Sequence, residues 1–204
     1  MKIQEYLQNK KIICDGAFGT YFAALVEEDI LPEKANTQSP EVVKKIHSGY
    51  LDAGAVLLRT NTFASNRVSL QCGEEYLVKN IRAAWKNASD AAIACGKELG
   101  KDCFIAGDIG PIPGSVGMQE EETYKEYKLI CDTFIAEGAD ILVFETFMDI
   151  ERILPVIKAI KAEKEIFIIV QFCVNQRGYS NAGISARRLI QEAGRVAEID
   201  AVGL

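Results

Sequence analysis

The sequence contains one histidine and one tryptophan, and none of its six cysteines stands in a Cys-x-x-Cys pair. A single histidine, His47, leaves no partner for a two-histidine metal site. It would also have to serve alone in a Ser-His-Asp hydrolase. His47 falls in the amphipathic stretch "EVVKKIHSGYLDAGA", where a structural or surface place is expected for it. The cysteines (Cys14, Cys72, Cys95, Cys103, Cys131 and Cys173) are scattered singly. In a reducing compartment that pattern is expected of small buried apolar side chains, not of disulfides or a zinc cluster.

Basic residues are also short: 23 Lys and Arg against 29 Asp and Glu give a net charge of -6. An acidic surface attracts neither a phosphate backbone nor anionic lipid, so no nucleic-acid or membrane partner is expected, and a small molecule is. No run approaches the ~18 apolar residues of a membrane span, and the opening "MKIQEYLQNKK" lacks the apolar centre of a signal peptide. A cytoplasmic protein is the expectation.

What is present is a strict alternation. Apolar, β-rich runs occur at "KIICDG" (11–16), "AVLLRTNTF" (55–63), "CFIAGDIGP" (103–111), "DILVFETF" (140–147), "EIFIIVQFCV" (165–174) and "DAVGL" (200–204). Helical patterns lie between them. One starts near Ser39-Pro40, one covers "EEYLVKNIRAAWKNASDAAIACGKEL" and ends at Gly100, and another is "EEETYKEYKLICDTFIAEG" with an acidic first turn. "DIERILPVIKAIKAE" and "SARRLIQEAGRVAEI" follow. Strands of continuous apolar letters are buried on both faces, and strand-helix alternation makes their sheet parallel.

Two parallel architectures fit, a barrel and a doubly wound sheet. "AGAVLLRTNTF" at 53–63 and "EGADILVFETF" at 137–147 align without gaps and share Gly, Ala, Leu, Thr and Phe. Repetition of one strand-helix unit favours the (β/α)8 TIM barrel. The 204 residues then hold about five and a half units of the eight, which predicts a truncated barrel. An open six-stranded parallel sheet is the alternative.

Both architectures bind ligands beyond the carboxyl ends of the strands. Asp15, Thr60, Asn61, Asp108, Glu145, Thr146, Gln171 and Asn175 fall there. Carboxylates from different strands converging on one cavity suit a cationic group such as an ammonium, a metal or a proton. The glycine-rich "DGAFGT" and "GDIGPIPGSVG" could cradle a phosphate, but neither carries a Walker lysine or a G-x-G-x-x-G entering a helix. Tight turns around a small-ligand pocket explain them more simply.

With "CDGAFGT", "AGAVLLRTNTF", "GDIGP", "DILVFETF", "NAGIS" and the terminal "AVGL" in this order, the chain resembles the homocysteine S-methyltransferase family from about residue 8 onward. The resemblance implies that residues 1–204 are a single domain, the N-terminal portion of a homocysteine-binding (β/α)8 barrel. It implies a zinc ion that binds the thiol of homocysteine, lowering its pKa so that a thiolate attacks the methyl group of a small-molecule donor to give methionine. The donor could be a sulfonium, an ammonium, a folate or a corrinoid. Asp15 and Glu145 match the acidic residues that face the homocysteine ammonium. Thr60, Asn61 and Thr62 match a rim that contacts substrate or supports the pocket.

The family's three zinc cysteines have no counterpart among the six present, and Cys173, near the rim, is not expected to replace them. The chain by itself is therefore expected to be inactive and to bind no zinc, with its exposed sheet edges inviting self-association. A catalytically dead short homologue, serving as an amino-acid-binding or assembly module, is the alternative.

Overall fold

Each strand of the sheet lies beside the strand that precedes it in sequence, and every pair is parallel. A doubly wound sheet must reverse its strand order at a switch point; this one never does, which is the singly wound arrangement. A computed structural model describes residues 2–27, 30–99, 103–114 and 119–204. The expected helix stop at Gly100 and part of the glycine-rich loop after residue 114 lie outside the described residues.

The strands are β1 (Leu57–Arg59), β2 (Phe104–Ile109), β3 (Ile141–Phe147), β4 (Phe167–Phe172) and β5 (Ala201–Gly203). The helices are α1 (Ile3–Leu7), α2 (Phe18–Leu25), α3 (Ala35–Gln38), α4 (Pro40–Asp52), α5 (Arg67–Leu70), α6 (Glu74–Leu99), α7 (Glu120–Ala136), α8 (Leu154–Glu163) and α9 (Ala186–Ala193). A single 3-10 turn at Pro32–Lys34 leads into α3.

The continuous apolar letters of the strands divide by parity into two cores. Leu142, Phe144, Ile168 and Val170 face outward into the layer of helices, with Phe134 of α7 and Val156, Ile157 and Ile160 of α8. Leu57, Phe104, Ala106, Ile141, Val143 and Phe167 face the opposite, inner side, closed at one end by Ile3 and Tyr6 of α1. Gly107 faces outward where a Cβ would stand 2.7 Å from Phe134 and from Leu142, so β2 and α7 approach as closely as a glycine permits.

Several expected elements are shorter than their apolar letters. "KIICDG" forms no full strand: Cys14 makes an isolated parallel bridge to Leu57, with Ile13 and Asp15 hydrogen-bonded to β1. Ile13 and Cys14 stay exposed because this segment has a neighbour on one side only. The stretch after it contains α2, the 3-10 turn and α3. In "DIERILPVIKAIKAE" the helix begins only at Leu154, because Pro155 is tolerated in a first turn and nowhere deeper. Pro40 opens α4 as expected, but the Ser39 side chain makes no capping hydrogen bond. "AVLLRTNTF" leaves the sheet after Arg59, and its last ladder bond runs from the Thr60 N–H to Ala106 O at 3.0 Å.

The cysteines are all free thiols, but only Cys95 and Cys131 are buried; Cys72 and Cys103 are half-buried, and Cys14 and Cys173 are exposed. No helix among the described residues is long and apolar enough to cross a membrane.

Candidate functional site

Strand parity dictates which side chains reach the inner face at the carboxyl ends. On β1 the series Leu57, Arg59 brings a guanidinium there; on β2 Phe104, Ala106, Asp108 brings a carboxyl; on β3 Ile141, Val143, Glu145 brings a second. Asp15, just past the bridge at Cys14, adds a third. All four line one cavity of about 440 Å3, together with apolar walls from Phe18, Leu31 and Phe63. That volume falls within the ~300–1,000 Å3 of small-molecule sites.

Arg59 is the hub. Its Nε donates to Asp15 Oδ1 at 2.8 Å and its backbone N–H to Asp15 Oδ2 at 2.9 Å. Nη2 donates to the carbonyls of Asp15 and Gly16 at 3.2 and 3.1 Å, and Nη1 pairs with Glu145 Oε2. Burial works against the guanidinium charge, but the carboxylates of Asp15 and Glu145 outweigh it and hold the proton more firmly than usual. Burial pushes the Asp15 carboxyl up from its ordinary value, opposed by Arg59. Asp108 is pushed well above its ordinary value by burial first and by the negative charge of Glu145 second, with a side-chain hydrogen bond to Glu145 adding to the rise and Arg59 opposing it.

Thr60 and Thr62 hold Asp108 from both sides. The Asp108 N–H donates to Thr60 Oγ1 at 3.0 Å, and Thr62 Oγ1 donates to the Asp108 carbonyl at 2.7 Å. Since the Thr62 hydroxyl proton is spent on that carbonyl, the 2.7 Å contact between the two hydroxyls must run from Thr60 to Thr62. The result is a closed ring of three hydrogen bonds joining the end of β1 to the end of β2.

Asn61 lies one layer further out. Its Nδ2 donates to Pro32 O at 2.8 Å and to Asn36 Oδ1 at 3.0 Å, while Asn36 Nδ2 returns to Asn61 O at 2.7 Å. Asn80, buried on α6, donates to Glu33 O and accepts from Ser65 Oγ, both at 2.8 Å. Asn87, one heptad along, donates to Asn36 O at 3.1 Å. This asparagine web fixes the 32–38 segment over the cavity. Within that segment Glu33 Oε1 accepts from Ala64 N–H, and its buried Oε2 has no hydrogen-bond partner. Burial raises Glu33 as well, against the Ala64 hydrogen bond.

A β-bulge follows Glu145. Register between β3 and β4 shifts between Phe144 and Phe147, and Thr146 takes φ 67°, a left-handed conformation that is a true outlier for a β-branched residue. The extra residue returns Phe147 to the outer core while Glu145 stays on the inner face.

Of the residues expected at the rim, Asp15, Thr60, Asn61, Thr62, Asp108, Glu145 and Thr146 line the cavity; Gln171 and Asn175 do not. Asn175 instead organises its own loop, its Oδ1 accepting from Arg177 and Tyr179 N–H. His47 is fully buried beside Phe18, and burial lowers it to about 4. Sequence reasoning missed Arg59 and the asparagine web. A signal for the latter existed: Asn80 and Asn87 interrupt the apolar stripe Leu77, Ile81, Ala84, Ala88, Ala91 of α6.

Comparison with known proteins points one way. The chain is 26% identical over 153 residues to betaine–homocysteine S-methyltransferase 1 of Xenopus tropicalis, covering 74% of this chain and 37% of that protein. It is 25% identical over 148 residues to the Bos taurus protein of the same name, covering 72% and 36%. It thus spans about a third to a half of the length of the curated relatives it matches. Among solved structures, the metallated form of the homocysteine methyltransferase MmuM from Escherichia coli superposes with a TM-score of 0.84, at 19% identity, over 98% of this chain and 76% of that one. That likeness establishes a shared fold. The profile of the homocysteine S-methyltransferase family matches residues 12–204, and the chain belongs to that family.

Proposed function

We propose that this chain is the amino-acid-holding portion of a homocysteine S-methyltransferase (β/α)8 barrel, the part that grips the substrate's α-amino and α-carboxyl groups while its sulfur accepts a methyl group. One observation carries the proposal: three carboxyls and one guanidinium from consecutive strands converge on a single cavity. Even with burial pushing Asp108 toward its neutral form, one guanidinium cannot balance the carboxylates of Asp15 and Glu145, so the site favours a ligand bearing a positive charge. The spare N–H of Arg59 Nη1 supplies a donor for a carboxylate, and a zwitterion satisfies both demands. Asp15 and Glu145 frame the ammonium subsite. Thr60, Asn61 and Thr62 act as support, since their polar groups are spent on Asp108, Pro32 and Asn36. Phe18, Leu31 and Phe63 keep water from the methylene chain that leads to the sulfur.

The residues of this chain do not fit the zinc that the family implies. Among the described residues no group of three or more His, Cys, Asp or Glu side chains is arranged to hold a metal ion. Asp15 and Glu145 each already pair with Arg59, and two such carboxylates without a third ligand do not make a zinc site. Cys14, beside Asp15, has its thiol pushed up by desolvation and by the charges of Asp15 and Glu145, against Arg59, which disfavours the thiolate a metal requires. The chain on its own is accordingly proposed to bind substrate without transferring a methyl group.

Calorimetric titration of the chain with L-homocysteine, paired with metal analysis, tests this. Saturable one-to-one binding that weakens about tenfold or more in Asp15→Asn is expected, with well under one zinc per chain. No binding at millimolar homocysteine, or one tightly held zinc per chain, refutes it.

A further inference from the structure

We propose that Thr146 is a further binding residue at the end of β3, its hydroxyl donating to the α-carboxylate of the ligand whose ammonium Asp15 and Glu145 frame. The inference rests on the reading above that the ligand is an α-amino acid.

Successive side chains of a regular strand point to opposite faces, so two neighbours do not serve one cavity. Glu145 and Thr146 nevertheless both line it. What permits this is the break in the pleat, where the register with β4 shifts between Phe144 and Phe147 and Thr146 takes φ 67°. Left-handed backbone is free for glycine and costly for a side chain branched at Cβ. Elsewhere among the described residues the chain meets that demand with glycine, as at Gly138 and Gly178, or with the unbranched Gln71 at the end of α5. Only at this bulge does it keep a β-branched residue, although a glycine would build the same turn without strain.

No contact inside the protein offsets that cost. The Thr146 side chain is exposed, and its hydroxyl has no hydrogen-bond partner among the described residues. Thr62, its counterpart in the 53–63 and 137–147 echo, spends its hydroxyl on the Asp108 carbonyl. The hydroxyl of Thr146 is left for whatever enters the cavity.

The chemistry of the ligand says which group it meets. The α-amino and α-carboxyl groups hang on one carbon, and the α-carbons of consecutive residues stand about 3.8 Å apart, so neighbouring side chains on one wall can take one group each. Acceptors for the ammonium are in surplus, in Asp15 and Glu145. Donors for the carboxylate are short, because the Arg59 guanidinium is already engaged by Asp15, Gly16 and Glu145. A neutral hydroxyl beside Glu145 adds a donor without adding a second cation to compete with Arg59.

The test titrates L-homocysteine and its decarboxylated analogue 3-aminopropane-1-thiol into the chain and into three variants. Thr146→Val keeps the branch and removes the hydroxyl, Thr146→Ser keeps the hydroxyl, and Thr146→Gly removes the side chain together with the strain. Affinity for homocysteine is expected to fall about five- to tenfold in the valine and glycine variants and to stay within about twofold in the serine variant. For the decarboxylated ligand all three variants are expected to stay within about twofold of the unaltered chain. Valine and serine variants that bind homocysteine alike overturn the assignment, as does a valine loss of equal size for the two ligands. Urea denaturation gives a second readout. The midpoint of Thr146→Gly is expected to equal or exceed that of the unaltered chain, and a lower one overturns the argument from strain. A glycine variant that binds homocysteine unchanged reduces Thr146 to a bulge residue and overturns the proposal. If the unaltered chain binds no homocysteine, the functional reading falls and takes this inference with it. Normal homocysteine binding that is indifferent to Thr146→Val sinks the inference alone.

Discussion

Replacing Arg59 by methionine keeps an unbranched stem and removes the guanidinium and its charge. The structure defines what is lost: two ion pairs, to Asp15 and Glu145, and two hydrogen bonds to the carbonyls of Asp15 and Gly16. Removing one partner of a buried ion pair costs about 3–5 kcal/mol because the other charge is left stranded. Arg59 and Glu145 keep 22% and 17% of their side-chain surface, so some water relieves them, and a cost of about 3 kcal/mol near neutral pH is expected. The pH dependence is the sharper prediction. Arg59 lowers both Asp15 and Asp108, which burial holds above their ordinary values, so both rise further in Arg59→Met. An acid whose folded pKa exceeds its unfolded one binds more protons in the native state, and its contribution to stability falls as pH rises through that window. The variant's deficit should therefore be smallest near pH 4, at about 1 kcal/mol, and should grow to its full size by about pH 8. Urea denaturation, followed by Trp85 fluorescence across that range, measures it. A deficit that does not change with pH, or one below about 1 kcal/mol at pH 8, would refute the account of Arg59 as the counter-ion of this cluster.

Other substitutions probe the scaffold of the site. A Cβ on Gly110 would stand 2.4 Å from the Phe63 carbonyl oxygen, so Gly110→Ala should destabilise the chain by about 1–3 kcal/mol and, by moving the Phe63 wall, weaken homocysteine binding in the same titration. Asn80→Ala strands the Glu33 carbonyl and the Ser65 hydroxyl, both buried, and should cost about 3 kcal/mol in the same urea series. Strand β5 pairs with β4 on one side and stands at the end of the sheet; light scattering on the 204-residue chain should find association that grows with concentration.

The fold was legible because its strands needed no alternation. Leu57-Leu58, Ile141 to Phe144 and Phe167 to Val170 are apolar at both parities, and the structure supplies a separate core for each parity. The gapless echo between residues 53–63 and 137–147 pointed to a repeated unit, and the consecutive strand order agrees with it. What escaped were features whose cause is tertiary. An arginine at the end of an apolar run reads as a strand leaving for solvent, and nothing local says that two carboxylates far along the chain will enclose it. Thr146 adopts a left-handed backbone without the glycine that would announce it. α2 and α3 carry no side-chain cap that would mark their starts.

The echo that revealed the repeat also separates the two halves of the site. Aligned by it, Thr62 matches Thr146 and Asn61 matches Glu145, yet the paired positions do different work. In the first copy the chain leaves the sheet at Thr60, and the hydroxyls of Thr60 and Thr62 take over from the ladder to clamp the next strand. In the second copy the ladder continues, so the same threonine becomes the extra residue of a bulge that turns Phe147 to the outer core, while the acid before it keeps the inner face that strand parity gives it. One sequence unit thus yields a clamp at one strand end and a carboxylate at another. The difference is set by whether the following residues stay hydrogen-bonded to the neighbouring strand. Asp108 lies between these two devices in the sheet, held by the first and facing the acid beside the second. That placement is why the carboxyl pushed furthest toward its neutral form sits at β2, between the ion-paired acids that the sequence made most visible.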